Sequence, residues 1–214
     1  MKKRLSRIPQ KLELPIPIES SFASYQEFES AKRSCRACEI WNCYQTVVCS
    51  DGCKLQPKVV IVGECPGREE VEQGMPFVGK AGKLLRNVIN KLGFRRNTTL
   101  ITNVMPCRPL NNQFPSDVEL VKKCAQTWLA QELSLLQPQA LILLGNQPLK
   151  FLLGQVGITS KRGTWMKLES IRVMPTYHPS YVLRKKYMQD GPEILKNFFD
   201  DILQVANFCG MSGR

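Results

Sequence analysis

The sequence predicts an α/β fold, a three-layer αβα sandwich around a central sheet of four parallel strands. Apolar runs recur along the chain from Lys58 onward, and segments with a helical pattern separate them. The runs are apolar almost throughout rather than alternating, which is typical of strands covered on both faces. The four predicted strands are VVIVG (59–63), TLITNVM (99–105), ALILLG (140–145) and IRVMPTY (171–177).

Helices are expected between these strands, as a layered fold of this class requires. The segments are AGKLLRNVINKLG (81–93), SDVELVKKCAQTWLAQELSLL (116–136), NQPLKFLLG (146–154) and a last helix over 192–208. A first helix is expected to begin near Ser24, where SYQE fits a capping box, and Ser116 with Glu119 fits another.

The length of 214 residues suits one domain with a sizeable core. We expect a basic N-terminal arm and the start of the first helix over 1–30, and the domain itself over 31–209. No apolar run reaches the roughly 18 residues of a membrane span. The basic start lacks the apolar stretch of a signal peptide. The expected location is therefore cytoplasmic, with no membrane partner.

The chain is strongly basic. Thirty Lys and Arg against 18 Asp and Glu give a formal net charge of +12. Such a charge serves solubility, or it indicates a polyanionic partner, nucleic acid above all. Charge alone does not separate the two.

Polar and glycine residues stand where the predicted strands end. They are Glu64, Asn103, Gly145 with Asn146, and His178, which is the single histidine of the chain. Active groups of open α/β sheets gather outside the carboxyl ends of the strands. A lone histidine is more often structural than catalytic, and Asn103 could simply cap the following loop. The position of His178 at a strand end nevertheless favours a functional role.

The loop that begins at Gly63 does not match the common phosphate-binding patterns. A dinucleotide fingerprint requires G-x-G-x-x-G and a P-loop requires G-K-[ST]. The spacing found here is Gly63-x-x-x-Gly67, with no G-K-[ST] after it. We therefore do not expect nucleotide hydrolysis or hydride transfer.

Nine cysteines in a cytoplasmic protein favour metal or cluster ligation over disulfides. Cys35 and Cys38 form a C-x2-C pair, and Cys107 and Cys124 follow later. Four thiolates in two groups can close a tetrahedral site for zinc or hold an iron–sulfur cluster. A compact local site that joins the first pair to the cysteines at 43, 49 and 53 is the alternative.

Four stretches carry a resemblance to a known family. They are GECPGREEVEQGMPFVGKAG (63–82), LITNVMPCRP (100–109), Cys124, and HPSYVLR (178–184). In these the chain resembles the family-four, iron–sulfur uracil-DNA glycosylases over roughly residues 31–205. The resemblance implies the fold of that family and a [4Fe–4S] cluster held by Cys35, Cys38, Cys107 and Cys124. It also implies excision of uracil from single- and double-stranded DNA by a monomer.

The resemblance assigns roles to the strand-end residues. Glu64 matches the residue that positions or activates water near the sugar, and His178 matches the one that faces the uracil oxygen beside the broken bond. Asn103 matches the base reader, whose amide complements O4 and N3–H of uracil. Phe77 matches the aromatic that stacks on the flipped base, although core packing is its alternative interpretation.

Further positions follow from the same motifs. Glu70 aligns with a position proposed to crowd the C5 edge of uracil and exclude thymine. Gly63 and Cys65 belong to the substrate-binding loop, although a small residue is usual where Cys65 stands.

The motif HPSYVLR resembles the loop that fills the space left by the flipped base. Val182 stands where leucine is usual, with Leu183 next to it. A smaller wedge would weaken base flipping in duplex DNA. Ser180, Arg184 and Lys185 complete the expected DNA contacts, to phosphates above all.

Two other functions are compatible with the sequence. A protein of this fold could bind uracil-containing DNA without efficient catalysis, as the valine at 182 would permit. A zinc-stabilised nucleic-acid-binding module is the second, and it would be colourless where an iron–sulfur protein is brown.

Overall fold

The computed structural model describes residues 18–211, so most of the predicted N-terminal arm lies outside it. A six-stranded sheet forms the centre, with strand order β1-β3-β2-β4-β6-β5. The strands are β1 (Asp51–Gly52), β2 (Val59–Gly63), β3 (Thr99–Asn103), β4 (Ala140–Leu144), β5 (Met166–Leu168) and β6 (Ile171–Thr176).

The four predicted strands are confirmed as a parallel set. Strand β2 pairs with β3 and β4, and β4 pairs with β6, all in parallel. The prediction missed the two edge strands, β1 and β5, which pair antiparallel with β3 and β6. They have two and three residues, too few for a periodic signal in the sequence.

Helices cover both faces of the sheet. They are α1 (Tyr25–Arg33), α2 (Glu39–Tyr44), α3 (Arg68–Gln73), α4 (Lys80–Lys91), α5 (Val118–Ala125), α6 (Gln131–Leu136), α7 (Asn146–Leu153), α8 (Ile158–Lys161), α9 (Pro179–Lys185) and α10 (Gly191–Phe208). None of the helices within residues 18–211 is long and apolar enough to cross a membrane.

The helix predicted over 116–136 is interrupted in an unexpected way. Its middle, Gln126–Ala130, is a π-helical turn between α5 and α6. The capping box expected at Ser116 is also wrong, because Asp117 is the N-cap and its carboxylate accepts the backbone N–H of Leu120 at 3.1 Å. At α1 the prediction is better: Ser24 is the N-cap and accepts the N–H of Glu27.

Successive strand residues supply two separate cores. Val59 and Ile61 face one side with α4, α9 and α10, while Val60 and Val62 face the other with α5, α6 and α7. All four side chains are fully buried. This two-sided burial is what the continuous apolar runs predict.

Helix α1 is fastened to the domain by a buried polar network. The carboxylate of Glu132 accepts from Lys32 Nζ at 3.0 Å, from Tyr25 Oη at 2.6 Å and from Ser50 Oγ at 2.6 Å. It also accepts from Thr102 Oγ1 on β3 at 2.9 Å. The boundary predicted between residues 30 and 31 therefore falls inside a helix that packs with the domain.

Candidate active site

The carboxyl ends of the parallel strands bring the predicted site residues to one rim of the sheet. Gly63 lies opposite Asn103 in the register of β2 and β3, and Glu64 follows Gly63 directly. His178 follows β6, two strands from β2. Parallel pairing places these ends together because all four strands run in the same direction.

Gly63, Phe77 and Asn103 meet at close range. A Cβ atom added to Gly63 would overlap the ring of Phe77 and would lie 2.5 Å from Oδ1 of Asn103. Glycine is therefore required here so that ring and amide can approach the backbone. The Phe77 ring centroid lies 6.1 Å from that of His178, with the planes tilted by 37°.

Glu64 and His178 line the same open cleft of about 320 Å³, together with Tyr177, Tyr181 and Arg184. Phe77 and Asn103 adjoin this cleft rather than line it. Burial raises the pKa of the Glu64 carboxyl, and Arg184 opposes the shift. Burial disfavours the charged form of a carboxylate and so makes it a stronger base, which is typical of a general base.

The contacts of His178 favour one tautomer. It is the N-cap of α9, and its Nδ1 accepts the backbone N–H of Ser180 at 3.2 Å. Burial, reinforced by the charge of Arg184, lowers the pKa of His178 to about 4. The imidazole is therefore neutral at pH 7, with its proton on Nε2. Nε2 is left as a hydrogen-bond donor.

Glu70 braces the loop that carries Phe77. One carboxylate oxygen accepts from the N–H groups of Val78 and Gly79 at 3.0 and 2.8 Å. The other accepts from Gly67 at 3.1 Å. The structure thus gives Glu70 a loop-ordering contact that the sequence did not predict, and exclusion of thymine stays a prediction.

Comparison with known proteins identifies the family. The model of the uracil DNA glycosylase superfamily matches residues 49–204. A type-4 uracil-DNA glycosylase of Thermotoga maritima is 36% identical over 186 residues, covering 85% of this chain and 92% of that protein. Those of Sulfurisphaera tokodaii and Archaeoglobus fulgidus are each 33% identical, covering 86% and 83% of this chain and 85% and 89% of their own. The chain belongs to the type-4 uracil-DNA glycosylases.

In this type-4 glycosylase the wedge motif forms the short helix α9 rather than a loop. Val182 is 3% exposed and packs in the core, so its contact with DNA stays a prediction. Leu183 is partly exposed, and Arg184 is exposed. Helical periodicity explains the difference, since adjacent positions on a helix point about 100° apart.

Some polar residues of α9 contact the cleft, and others lie at its outer edge. Ser180 Oγ lies 2.7 Å from Nδ1 of His178, and Arg184 donates to that hydroxyl at 3.3 Å. Ser180 therefore supports the imidazole in addition to any DNA contact. Lys185 reaches Asp190 at 3.3 Å.

The four cysteines expected as ligands come from the segment between α1 and α2, from the Cys107 loop and from α5. Cys35 follows α1, Cys38 caps α2, Cys107 pairs with Val47 in an isolated bridge, and Cys124 lies on α5. Burial raises the pKa of Cys107 to about 12, and Cys38 and Cys35 add to the shift.

The pKa of Cys124, the last of the four thiols, is raised in the same way. Burial raises the pKa of Cys124, and Cys107, Cys38 and Cys35 raise it further. A cationic centre beside these thiols would stabilise the thiolate forms of Cys107 and Cys124, whose ionisation burial disfavours. Across residues 18–211, no three His, Cys, Asp or Glu side chains are close enough together to hold a metal ion.

The local alternative finds less support. The thiol of Cys43 contacts the carbonyl of Glu39 at 3.9 Å, and that of Cys53 contacts the carbonyl of Leu55 at 3.1 Å. Both are directed at backbone rather than at the Cys35–Cys38 pair. Cys49 is buried near Cys107 and raises its pKa slightly.

Sequence reasoning missed one residue that acts on the site. Arg86 of α4 donates from Nε to the carbonyl of Phe77 and from Nη2 to that of Pro76, both at 2.9 Å. It looks like an ordinary polar position of an amphipathic helix, so nothing in the sequence distinguishes it.

Proposed function

We propose that the chain excises uracil from DNA by hydrolysis of the N-glycosidic bond, leaving an abasic site. Its membership of the type-4 uracil-DNA glycosylases supports this reaction. The observation that carries the proposal is the approach of an acid, an amide, an aromatic ring and a neutral imidazole at one rim of the sheet.

Glu64 is the proposed water-positioning base. In the transition state the sugar becomes oxocarbenium-like, and an anionic carboxylate near it favours that charge. The nearby Arg184 opposes the rise that burial causes in the pKa of this carboxyl. A positioned base contributes about two to four orders of magnitude in rate.

His178 is the proposed donor to the uracil oxygen beside the broken bond. Negative charge builds on the base as it departs, and Nε2–H would bind it where it develops. Removing one such preorganised donor costs about 10²- to 10³-fold in rate. The contact from Ser180 to Nδ1 supports the role because it holds the proton on the opposite nitrogen.

Asn103 and Phe77 are the proposed base-recognition pair. The amide presents one donor and one acceptor, which complement O4 and N3–H of uracil, and cytosine presents the reverse order. The ring of Phe77 would stack on the extruded base. Gly63 supports this arrangement by admitting both groups to its backbone, and Cys65 extends the same loop.

The proposed DNA contacts lie on α9. Leu183 takes the wedge role, while Arg184, Lys185 and Ser180 would meet phosphates on a chain of net charge +12. A uracil in single-stranded DNA is already unstacked, so both single and double strands serve as substrates of the proposed monomer.

The proposed cofactor is a [4Fe–4S] cluster held by Cys35, Cys38, Cys107 and Cys124. When bound, it supplies a structural cross-link rather than electrons, since hydrolysis transfers none. These residues would fasten the segment after α1 to the Cys107 loop and to α5. A colourless, zinc-containing protein would instead support the nucleic-acid-binding module.

The test is incubation of the protein with single- and double-stranded oligonucleotides that carry one uracil, followed by alkaline cleavage of abasic sites. We expect cleavage at uracil, with Glu64→Ala and His178→Ala severely reduced. Binding of uracil-DNA without cleavage by the wild type would instead favour a protein of this fold that binds uracil-containing DNA without efficient catalysis. Full activity of the Glu64 variant would remove that residue from its assigned role.

A further inference from the structure

Phe77 adopts a backbone conformation that few aromatic residues adopt. Its φ is +57°, in the left-handed region. A bulky side chain is an outlier there and persists only where its surroundings hold it. Its ring is nevertheless buried beside Gly63 and Asn103. Some contact must therefore hold the Phe77 backbone in place.

The guanidinium of Arg86 supplies that contact. It donates to the carbonyls of Pro76 and Phe77, each at 2.9 Å. These carbonyls belong to the two peptide units on either side of the Phe77 Cα atom. Because φ and ψ of Phe77 are the rotations between those units, one rigid, planar group restrains both torsions at once.

We call these two contacts of Arg86 the Phe77 clamp. Two neighbouring residues complete it. Gly82 of α4 packs against the Phe77 backbone so closely that an added Cβ atom would overlap its carbonyl group. Asp51 accepts from Nη2 of Arg86 at 3.0 Å, and its side chain is 7% exposed. The ion pair thus orients the guanidinium of Arg86, whose own side chain is 33% exposed.

Asp51 also connects the clamp to the proposed base reader. It lies on β1 opposite Ile101 of β3, and that strand ends at Asn103. Through Arg86 and Asp51, the loop carrying Phe77 is therefore connected to the strand that positions the amide of Asn103.

We propose that Arg86, oriented by Asp51, is a positioning residue that sets the stacking face of Phe77 for the extruded uracil. The inference rests on the proposed function, because it takes Phe77 as the ring that stacks on the base. Arg86 acts through the Phe77 backbone and not on the substrate.

The experiment compares Arg86→Lys with Arg96→Lys as a matched control. Arg96 pairs with the same carboxylate of Asp51 at 2.6 Å but is 75% exposed. Lysine keeps the charge at position 86 but is a point donor that cannot span two carbonyls. Two affinities are measured, the inhibition constant of free uracil and the dissociation constant of an oligonucleotide with a tetrahydrofuran abasic site.

We expect Arg86→Lys to weaken uracil inhibition about tenfold, within the range of one base–aromatic stack. Binding of abasic DNA should stay close to wild type, because no base is stacked in that complex. Arg96→Lys should change neither affinity. Asp51→Asn, which removes the orienting charge, should weaken uracil inhibition to a smaller extent and serves if Arg86→Lys does not fold.

The variant Phe77→Ala distinguishes a failure of the positioning role of Arg86 from a failure of the stacking role of Phe77. If it weakens uracil inhibition while Arg86→Lys and Asp51→Asn do not, the positioning role is wrong and the stacking role stands. If Phe77→Ala has no effect, the stacking role itself is wrong and the inference fails with it. An equal loss of uracil and abasic-DNA binding in Arg86→Lys, or an equal effect of Arg96→Lys, would also overturn the positioning role.

Discussion

The Nδ1 atom of His178 accepts the backbone N–H of Ser180 at 3.2 Å, which directs the single proton of the neutral ring to Nε2. Burial and the charge of Arg184 together lower the pKa of His178 to about 4. The imidazole is thus a fixed donor throughout the neutral range rather than a group that titrates there.

We therefore expect no histidine limb near pH 6.5 in the pH dependence of kcat. Since His178 is the single histidine, ¹⁵N NMR of the imidazole can be read without assignment ambiguity. It should show the Nε2–H tautomer from neutral pH down to about pH 5. A ring that becomes cationic between pH 6 and 7 would contradict this neutral-donor role.

Glu64→Gln should lower kcat by about two to four orders of magnitude, since the amide cannot act as a base. It should also stabilise the protein at neutral pH. Burial raises the pKa of Glu64 in the folded state, so ionisation costs stability as the pH rises through that value.

The gain in stability should shrink as the pH falls through the raised pKa of Glu64 and vanish below the ordinary glutamate pKa, where the carboxyl is protonated both folded and unfolded. Thermal melting of both proteins over this pH range measures the difference. A variant that is less stable than wild type at neutral pH would argue against a desolvated carboxylate.

Asn103→Asp should shift base preference from uracil towards cytosine. A carboxylate accepts hydrogen bonds only, so it loses the donor for O4 and leaves that oxygen unpaired, while it can accept from N4 of cytosine. Sites built on such pairing discriminate by up to about 10⁴- to 10⁵-fold. Cleavage rates on matched uracil and cytosine oligonucleotides give the ratio, and an unchanged ratio would exclude Asn103 as the reader.

Leu183→Ala should reduce excision from duplex DNA more than from single strands, because only the duplex must be opened by a wedge. Val182→Ala is the matched control on the same helix. Its side chain is buried, so it should cost about 1–3 kcal/mol of stability and affect both substrates alike. A duplex-specific loss in the Val182 variant instead would return the wedge role to that residue.

Cys124→Ser should abolish the brown colour and the bound iron expected of the purified protein, while Cys43→Ser should retain both. The reason is that Cys124 shares its surroundings with Cys107, Cys38 and Cys35, whereas Cys43 contacts a backbone carbonyl. Absorbance and iron analysis provide the measurement. Equal loss in both variants would favour the local cysteine site.

The parallel centre of the fold could be predicted because its strands are apolar on both faces, and the predicted bounds agree within one or two residues. The rim follows from it, since the strand ends identify Glu64, Asn103 and His178. The orientation of Val182 could not be predicted, because its burial depends on α9 being a helix and a short segment containing Pro179 resembles a loop. Its burial favours Leu183 over Val182 as the proposed wedge.

The Phe77 clamp could not be predicted from the sequence either. Neither a left-handed backbone at an aromatic residue nor the reach of Arg86 across two carbonyls has a signature in residue order. Only the three-dimensional approach of α4, β1 and the Phe77 loop reveals it.

The π-helical turn Gln126–Ala130 changes the relative directions in which side chains before and after it point. Cys124 and Glu132 are eight residues apart. In a regular α-helix they would diverge by about 80°, whereas one extra residue absorbed in a wide turn reduces the angle to about 20°. The turn thereby brings the thiol of Cys124 to nearly the same side of the helix as the carboxylate of Glu132, which binds Tyr25 and Lys32 of α1. Deleting one residue from the turn would rotate the two side chains apart.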